Sequence, residues 1–242
     1  MQEVIFQDLG LMPYREAWDY QENLLQRNVH CKTEARAQMQ PYDAQKVGTQ
    51  HYLLFCEHPP VYTLGKSGDI SHVLLSEVEL TNRGIEFHRT NRGGDITFHG
   101  FQQVVGYPIL DLEKLYTDIG RYLRNLEEVI IRTIADFGIT GSRSAGETGV
   151  WIDPDIKGKE RKICAIGVRC SRWVTMHGFA LNVNTDLNYF NHIIPCGIQH
   201  KQVTSIEKEL GEKIDYEMVK KRLLHHFESV FELTVNTLRP AL

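Results

Sequence analysis

Two apolar, strand-like runs stand almost end to end in this chain: RKICAIGVRC at 161–170 and WVTMHGFALNV at 173–183. Their length and β-branched content make them strands, and the stretch Lys162 to Cys196 organises the rest of the sequence. A lysine opens that stretch and a cysteine closes it, in Pro195-Cys196-Gly197. Proline fixes its own backbone dihedral and glycine lets the chain turn sharply, so the thiol is constrained on both sides. Such a placement suits a nucleophile that must be presented. It equally suits a small hydrophobe in a turn, because a lone cysteine is a weak signal.

The remaining elements follow from periodicity and punctuation. Residues 3–10 read as a strand, and 14–39 as an amphipathic helix on Ala17, Leu24, Leu25 and Val29. The run 51–57 is a buried strand, and 61–64 continues extended after a rigid His58-Pro59-Pro60 turn. Ser76 with Glu79 is a capping box for a short helix that Gly84 ends. Strands are expected at 85–89, 96–99 and 103–110, the first two as a hairpin around the turn 92–95. The longest helix is expected over 117–137, a strand over 148–152, and a last helix from Asp215 with Val219, Leu223, Leu224, Phe227 and Val230 inside. Strands cluster and helices fall between the clusters, which favours an α+β fold: one domain over 1–242, a mixed β-sheet flanked by two or three helices.

Composition excludes several classes. A net charge of −4 argues against a general nucleic-acid binder. The five cysteines are odd in number and contain no CxxC pair, which fits a reducing compartment better than a disulfide framework or structural zinc. No secretory signal and no apolar run of membrane-spanning length is visible, so a cytoplasmic protein without membrane or nucleic-acid partners is expected.

Gly65-Lys66-Ser67 ends like a phosphate loop, but the position five residues before Gly65 is Pro60 where that motif needs glycine. A solvated turn is the better reading. The run RGGDITFHG at 92–100 is more informative. Its glycines let backbone approach a ligand, Arg92 can meet an anion or a carbonyl, and Thr97 and His99 share one strand face. A hairpin with a satisfied histidine explains the same letters. His177-Gly178 repeats the His-Gly pairing, and two histidines with a cysteine could make a metal site or a Cys–His dyad; no carboxylate stands at metal-ligand spacing, so no metal is expected, and no other cofactor is read from the residues. Lys162, at a strand start among apolar residues, can lose part of its solvation and exchange a proton, or can snorkel from the strand end. Lys157, Lys159 and Arg161 form a basic turn that could meet acidic partners or be a solvated tip.

Taken together, EHPPVYTLG at 57–65, RGGDITFHG at 92–100, KICAIGVR at 162–169, HGFALNVN at 177–184, PCGI at 195–198 and VTSIE at 203–207 resemble the lipoyl(octanoyl) transferase family. These are the octanoyl-[acyl-carrier-protein]:protein N-octanoyltransferases. The resemblance implies the biotin/lipoate protein ligase fold. It implies Cys196 as the acyl-thioester nucleophile and Lys162 as the group that lowers the thiol pKa and handles protons. It also implies acyl-substrate contacts at Arg92, Gly93, Gly94, Asp95, Ile96, Thr97, Phe98 and His99, at Ala165, Ile166 and Gly167, and at Gly178, Phe179 and Ala180.

The implied donor is an octanoyl acyl carrier protein. The implied acceptors are lipoyl domains of 2-oxoacid dehydrogenases and the glycine cleavage H protein. The family follows its His-Gly with Pro-Gly-Gln, where this chain has Phe101-Gln102-Gln103, a departure that bears on the loop beside the acyl pocket. The rival expectations are an ATP-dependent lipoate or biotin ligase of the same fold, which needs no Cys196, and a non-catalytic acyl-binding module.

Overall fold

The computed structural model describes residues 2–194 and 202–237, so Cys196 lies outside the described residues. The chain begins β1 (Gln2–Leu11), α1 (Tyr14–Gln38), β2 (His51–Glu57) and β3 (Val61–Leu64). It continues α2 (Glu77–Asn82), β4 (Glu86–Arg89), β5 (Ile96–His99), β6 (Gln103–Ile109) and α3 (Ile119–Ala135). Four strands follow: β7 (Ser142–Ser144), β8 (Glu147–Ile152), β9 (Arg161–Ser171) and β10 (Val174–Asn182). The last elements are β11 (Gln202–Val203), α4 (Ile206–Leu210), α5 (Tyr216–Phe231) and β12 (Leu233–Thr237).

Local chemistry sets the helix starts. Ser76 and Glu79 form the expected capping box on α2. Asp118 accepts from Arg121 N at the head of α3, and Asp215 accepts from Glu217 N and Met218 N at the head of α5. Gly138, at φ +79°, follows the end of α3 in the left-handed region that favours glycine.

Among the described residues, nine strands form one mixed sheet in the order β12-β1-β2-β6-β10-β9-β8-β7, with β11 beside β9. β1 runs parallel to both β12 and β2, while β2, β6, β10, β9 and β8 pair antiparallel in turn. One face packs on α3 and α5: Leu53, Phe55, Val104 and Leu181 meet Leu126, Ile130, Leu223 and Phe227. The other face packs on α1, where Leu54, Cys56, Val105 and Ala180 meet Ala17, Leu24 and Leu25. β2 therefore buries alternate side chains on opposite faces, which accounts for its unbroken apolar run. Each such leucine contributes roughly 1.5–3 kcal/mol. Among the described residues, no helix is long and apolar enough to cross a membrane.

One expectation is corrected. β4 and β5 do not make a hairpin: they lie on either side of β3 in a separate three-stranded sheet, β4 parallel and β5 antiparallel to it. The wholly buried β3 takes the central place because both its edges and both its faces are covered. Of the basic turn 157–161, which the sequence leaves open between a docking surface and a solvated tip, Arg161 bonds to Glu209 (2.6 Å) and Asp153 (2.7 Å).

Lys32 crosses from α1 to the segment after β6, where it pairs with Asp111 and lies 3.1 Å from Glu113 Oε2. Lys32 and Asp111 are 1% and 0% exposed. Removing one buried partner leaves the other charge uncompensated. Lys32→Met should therefore lower the unfolding free energy in urea titrations by about 3–5 kcal/mol, and Lys32→Met/Asp111→Asn should recover part of the loss. Equal stability of Lys32→Met and the parent would contradict the pairing.

Candidate active site

The floor of the candidate site is a patch of small residues on the α1 face of the sheet. β9 meets β10 in the register Ala165–Ala180, Ile166–Phe179 and Gly167–Gly178, so the two triplets named from the sequence are direct cross-strand partners. β10 meets β6 in turn as Ala180–Val105 and Asn182–Gln103. Period-two alternation sends Ala165, Ala180 and Val105 to one side. Glycine at 178 is required by close approach, since a Cβ there would lie 2.1 Å from the Gly106 carbonyl oxygen. The low floor opens a cavity of about 520 Å³, within the usual range for ligand pockets.

Lys162 reaches this cavity through a bulge. Opposite β8, Val150 pairs with Cys164 and Trp151 with Lys162, which leaves Ile163 as an extra residue on β9. Residues three apart on a regular strand face opposite ways, yet Lys162 and Ala165 both line the cavity. The extra residue resolves that conflict, with Ile163 and Cys164 both packed in the core beneath. The Lys162 ammonium sits 4.5 Å from the centre of the Trp151 ring, in cation–π range. Gly149, at φ +121°, leaves room for the stem: a Cβ there would meet Lys162 Cε at 3.5 Å and the Cys164 carbonyl oxygen at 2.6 Å.

Arg92 builds the wall. It is 7% exposed, and its Nη2 donates to Thr63 O (2.5 Å), Thr63 Oγ1 (3.0 Å) and Asp95 O (2.8 Å), its Nη1 to Gly93 O (3.0 Å). Through these contacts it binds carbonyls and folds the glycine loop. Gly93 N then donates to Val168 O of β9 at 2.9 Å, which closes the loop onto the large sheet. The Asp95 carboxylate meets His72 Nδ1 at 2.5 Å. The same segment bridges Val73 to Ile193, and Ile194 N donates to His72 O at 2.9 Å. The wall is thus tied to the chain two residues before Cys196.

Three histidines gather at the closed end, His99 and His177 on its lining and His58 behind them against His99. His58 donates from Nδ1 to Met12 O and accepts from the Tyr107 hydroxyl, both at 2.7 Å. His99 donates to Gln103 Oε1 at 2.9 Å, since that amide's nitrogen is spent on Phe98 O and Asn182 Oδ1. His177 donates from Nε2 to Asn91 Oδ1 at 2.7 Å. Burial dominates all three: His58 is pushed down to about 4, His177 to about 3, and His99 well below its usual value. They are neutral at pH 7 and weak as bases.

Of the residues named from the sequence, all but two line this cavity. Cys196 lies outside the described residues. Phe98 is the correction: it turns away from Thr97 and His99, stacks on Tyr189 (centroids 4.5 Å apart, 5° between planes) and belongs to the core under the small sheet. The loop that departs from the family keeps a glycine-like backbone without glycine, with Gln102 at φ +59°. Its carbonyl accepts from Val183 N, Asn184 N and Thr185 Oγ1, which hold it there.

Sequence reasoning missed Tyr14, Gln103, Tyr107, Gly146, Glu147 and Asn182, which also line the cavity. Two of them carried a signal: Gln103, as the one residue of Phe101-Gln102-Gln103 that keeps the family's identity, and Asn182, inside the motif at 177–184. Among the described residues no cysteine lines the cavity, and burial pushes the Cys164 and Cys170 thiols up. Nor do the described residues contain a cluster able to hold a metal ion.

Comparison with known proteins agrees with this architecture. Residues 13–228 match the family model of the lipoyl protein ligase A/B catalytic domain. An octanoyltransferase of Flavobacterium psychrophilum is 56% identical over 230 residues, covering 95% of this chain and 97% of the relative. One from Parabacteroides distasonis is 45% identical over 231 residues, covering 96% and 100%. Among solved structures, a putative lipoate protein ligase from Thermoplasma acidophilum with bound lipoic acid superposes with a TM-score of 0.68 at 13% identity, over 99% of this chain and 90% of that one. That likeness concerns the fold, and the sequence relatives carry the kinship: this chain belongs to the lipoyl protein ligase A/B catalytic-domain family.

Proposed function

We propose that this protein is an acyltransferase that moves an octanoyl group from octanoyl-acyl carrier protein, through a thioester on Cys196, to a lysine of a lipoyl-accepting domain. The observation that carries the reading is Lys162, turned by a bulge into an acyl-sized cavity floored by Ala165, Ala180 and Val105. The octanoyltransferases at 45–56% identity support the reaction class. The reading makes Gly93, Gly94, Asp95, Ile96, Thr97, Ile166, Gly167, Gly178 and Phe179 acyl contacts and gives Arg92 and His99 the work of holding the wall.

The reaction has two balanced halves. In the first, the Cys196 thiolate attacks the donor's thioester carbonyl, the bond to the phosphopantetheine sulfur breaks, and that sulfur leaves with a proton from the Lys162 ammonium. In the second, an acceptor lysine amine attacks the new thioester, the bond to Cys196 breaks, and Lys162 as the amine takes the proton the nucleophile sheds. The ammonium's charge also favours the thiolate before attack. The neutral histidines fit this division of labour, because none of them places a competing positive charge beside the ammonium. The energy of the amide bond comes from the thioester, so ATP has no place in the scheme.

Cys196→Ala should abolish transfer from octanoyl-carrier protein to an acceptor domain, followed by gel shift, without changing the thermal unfolding midpoint. Activity equal to the parent would sink the nucleophile assignment.

Lys162 separates charge from proton transfer. Lys162→Met should lower turnover by roughly 10²–10⁴-fold and move the pH profile of Cys196 alkylation by iodoacetamide toward that of an ordinary thiol. Lys162→Arg restores charge but gives up no proton at ordinary pH, so alkylation should recover in part while amine transfer stays slow. Normal turnover by Lys162→Arg would remove the acid–base role.

A further inference from the structure

Two residues before Cys196 the chain makes a short antiparallel contact. Leu74 N donates to His192 O and Ile194 N donates to His72 O, both at 2.9 Å, and Val73 bridges Ile193 between them. Residues 192–194 are thus registered on residues 72–74. Ile193 packs in the core under the small sheet, and Val73 packs against that core.

The segment that holds them is slight. Ile70–His72 is a single helical turn, and Ile70 and Leu74 are both about half exposed. So short a turn in solvent opens easily unless something ties it down. The tie is the His72 side chain, whose Nδ1 donates to Asp95 Oδ2 at 2.5 Å. Asp95 is itself fixed through its backbone, since its carbonyl accepts from Arg92 Nη2 (2.8 Å) and Gly65 N (3.1 Å). Its other carboxylate oxygen, Oδ1, is buried without a hydrogen-bond partner among the described residues. Among those residues His72 is therefore the one group that compensates this carboxylate, and the contact is charge-assisted. His72 does not line the cavity.

We propose that His72 is a positioning residue for the Cys196 thiol. Its bond to Asp95 clamps residues 72–74 to the glycine loop, and through Ile194 it sets where the chain bearing the nucleophile departs from the cavity wall. His72 moves no proton in the reaction and acts only through the segment it holds. Without the bond, Val73 keeps its packing but the turn loosens, and residues 192–194 loosen with it. A misplacement of about 1 Å between reacting groups is enough to cost roughly 10²-fold in rate. The identity of the nucleophile rests on the proposed function, whereas the clamp is open to measurement without any transfer.

The test compares His72→Phe, which keeps a ring and loses the donor, with His72→Asn, whose amide nitrogen replaces Nδ1 at the same number of bonds from the backbone. Each is followed by amide hydrogen exchange in the free protein and by single-turnover octanoylation from octanoyl-carrier protein over a range of donor concentrations. In His72→Phe the Leu74 and Ile194 amides should exchange about tenfold faster, as expected for losing one charge-assisted hydrogen bond. Its maximal acylation rate should fall roughly 10–100-fold while the half-saturating donor concentration stays within about twofold. His72→Asn should bring both exchange and rate back toward the parent. Unchanged exchange in His72→Phe overturns the clamp. Parental acylation despite faster exchange overturns the positioning role, as does a loss carried by the half-saturating concentration alone or a failure of His72→Asn to recover either reading. Faster exchange in His72→Phe, with a parent that takes up no octanoyl group, would uphold the clamp and refute the proposed function, so the two can fail separately.

Discussion

The site depends on one buried guanidinium. Arg92 joins β3, through both oxygens of Thr63, to the carbonyls of Gly93 and Asp95 in the glycine loop. These acceptors belong to segments that share no ladder with the large sheet, and the loop they shape reaches that sheet by the bond from Gly93 N to Val168 O. A fork of donors in fixed geometry suits such a task better than an ammonium. Truncating it would strand several buried carbonyls, each costing about 1–3 kcal/mol without a partner. The wall, the floor's edge and the link through His72 toward residue 194 all lean on this arrangement.

On that frame the cavity divides its chemistry by position. At the open end a bulge turns Lys162 toward the space the acyl carbonyl would occupy, beside the Trp151 ring. At the closed end His58, His99 and His177 are kept neutral by burial and serve as hydrogen-bonding struts. Under the proposed mechanism a lysine handles protons and the histidines hold shape, the reverse of what residue type alone suggests.

Much of this was legible in the sequence because local signals carried it. The strand 51–57, the capping box at Ser76 and Glu79, and the long helix ending before Gly138 all follow from neighbours in the chain. The pairing of the two glycine triplets lies within reach of the same reading, since only the residues around the 171–173 connection separate their strands. What escaped was set by distant contacts. The parallel pairing of β12 with β1 joins the two ends of the chain, and the small sheet inserts β3 between strands that read as a hairpin. Phe98 shares a motif with Thr97 and His99 but faces the other way. Tyr14 read as the first turn of an amphipathic helix, and only tertiary packing puts it against His99. The bulge at Ile163 has no sequence signature at all, yet it aims Lys162.

The central claim is that the acyl group passes through a thioester on Cys196 in this cavity. The most direct measurement is the intact-mass and peptide-level mass spectrum of the protein mixed with octanoyl-carrier protein in the absence of ATP and of acceptor. The account predicts one octanoyl group on the peptide that contains Cys196, discharged when a lipoyl-accepting domain is added. Turnover that requires ATP and free octanoate, with Cys196 unmodified throughout, would contradict it.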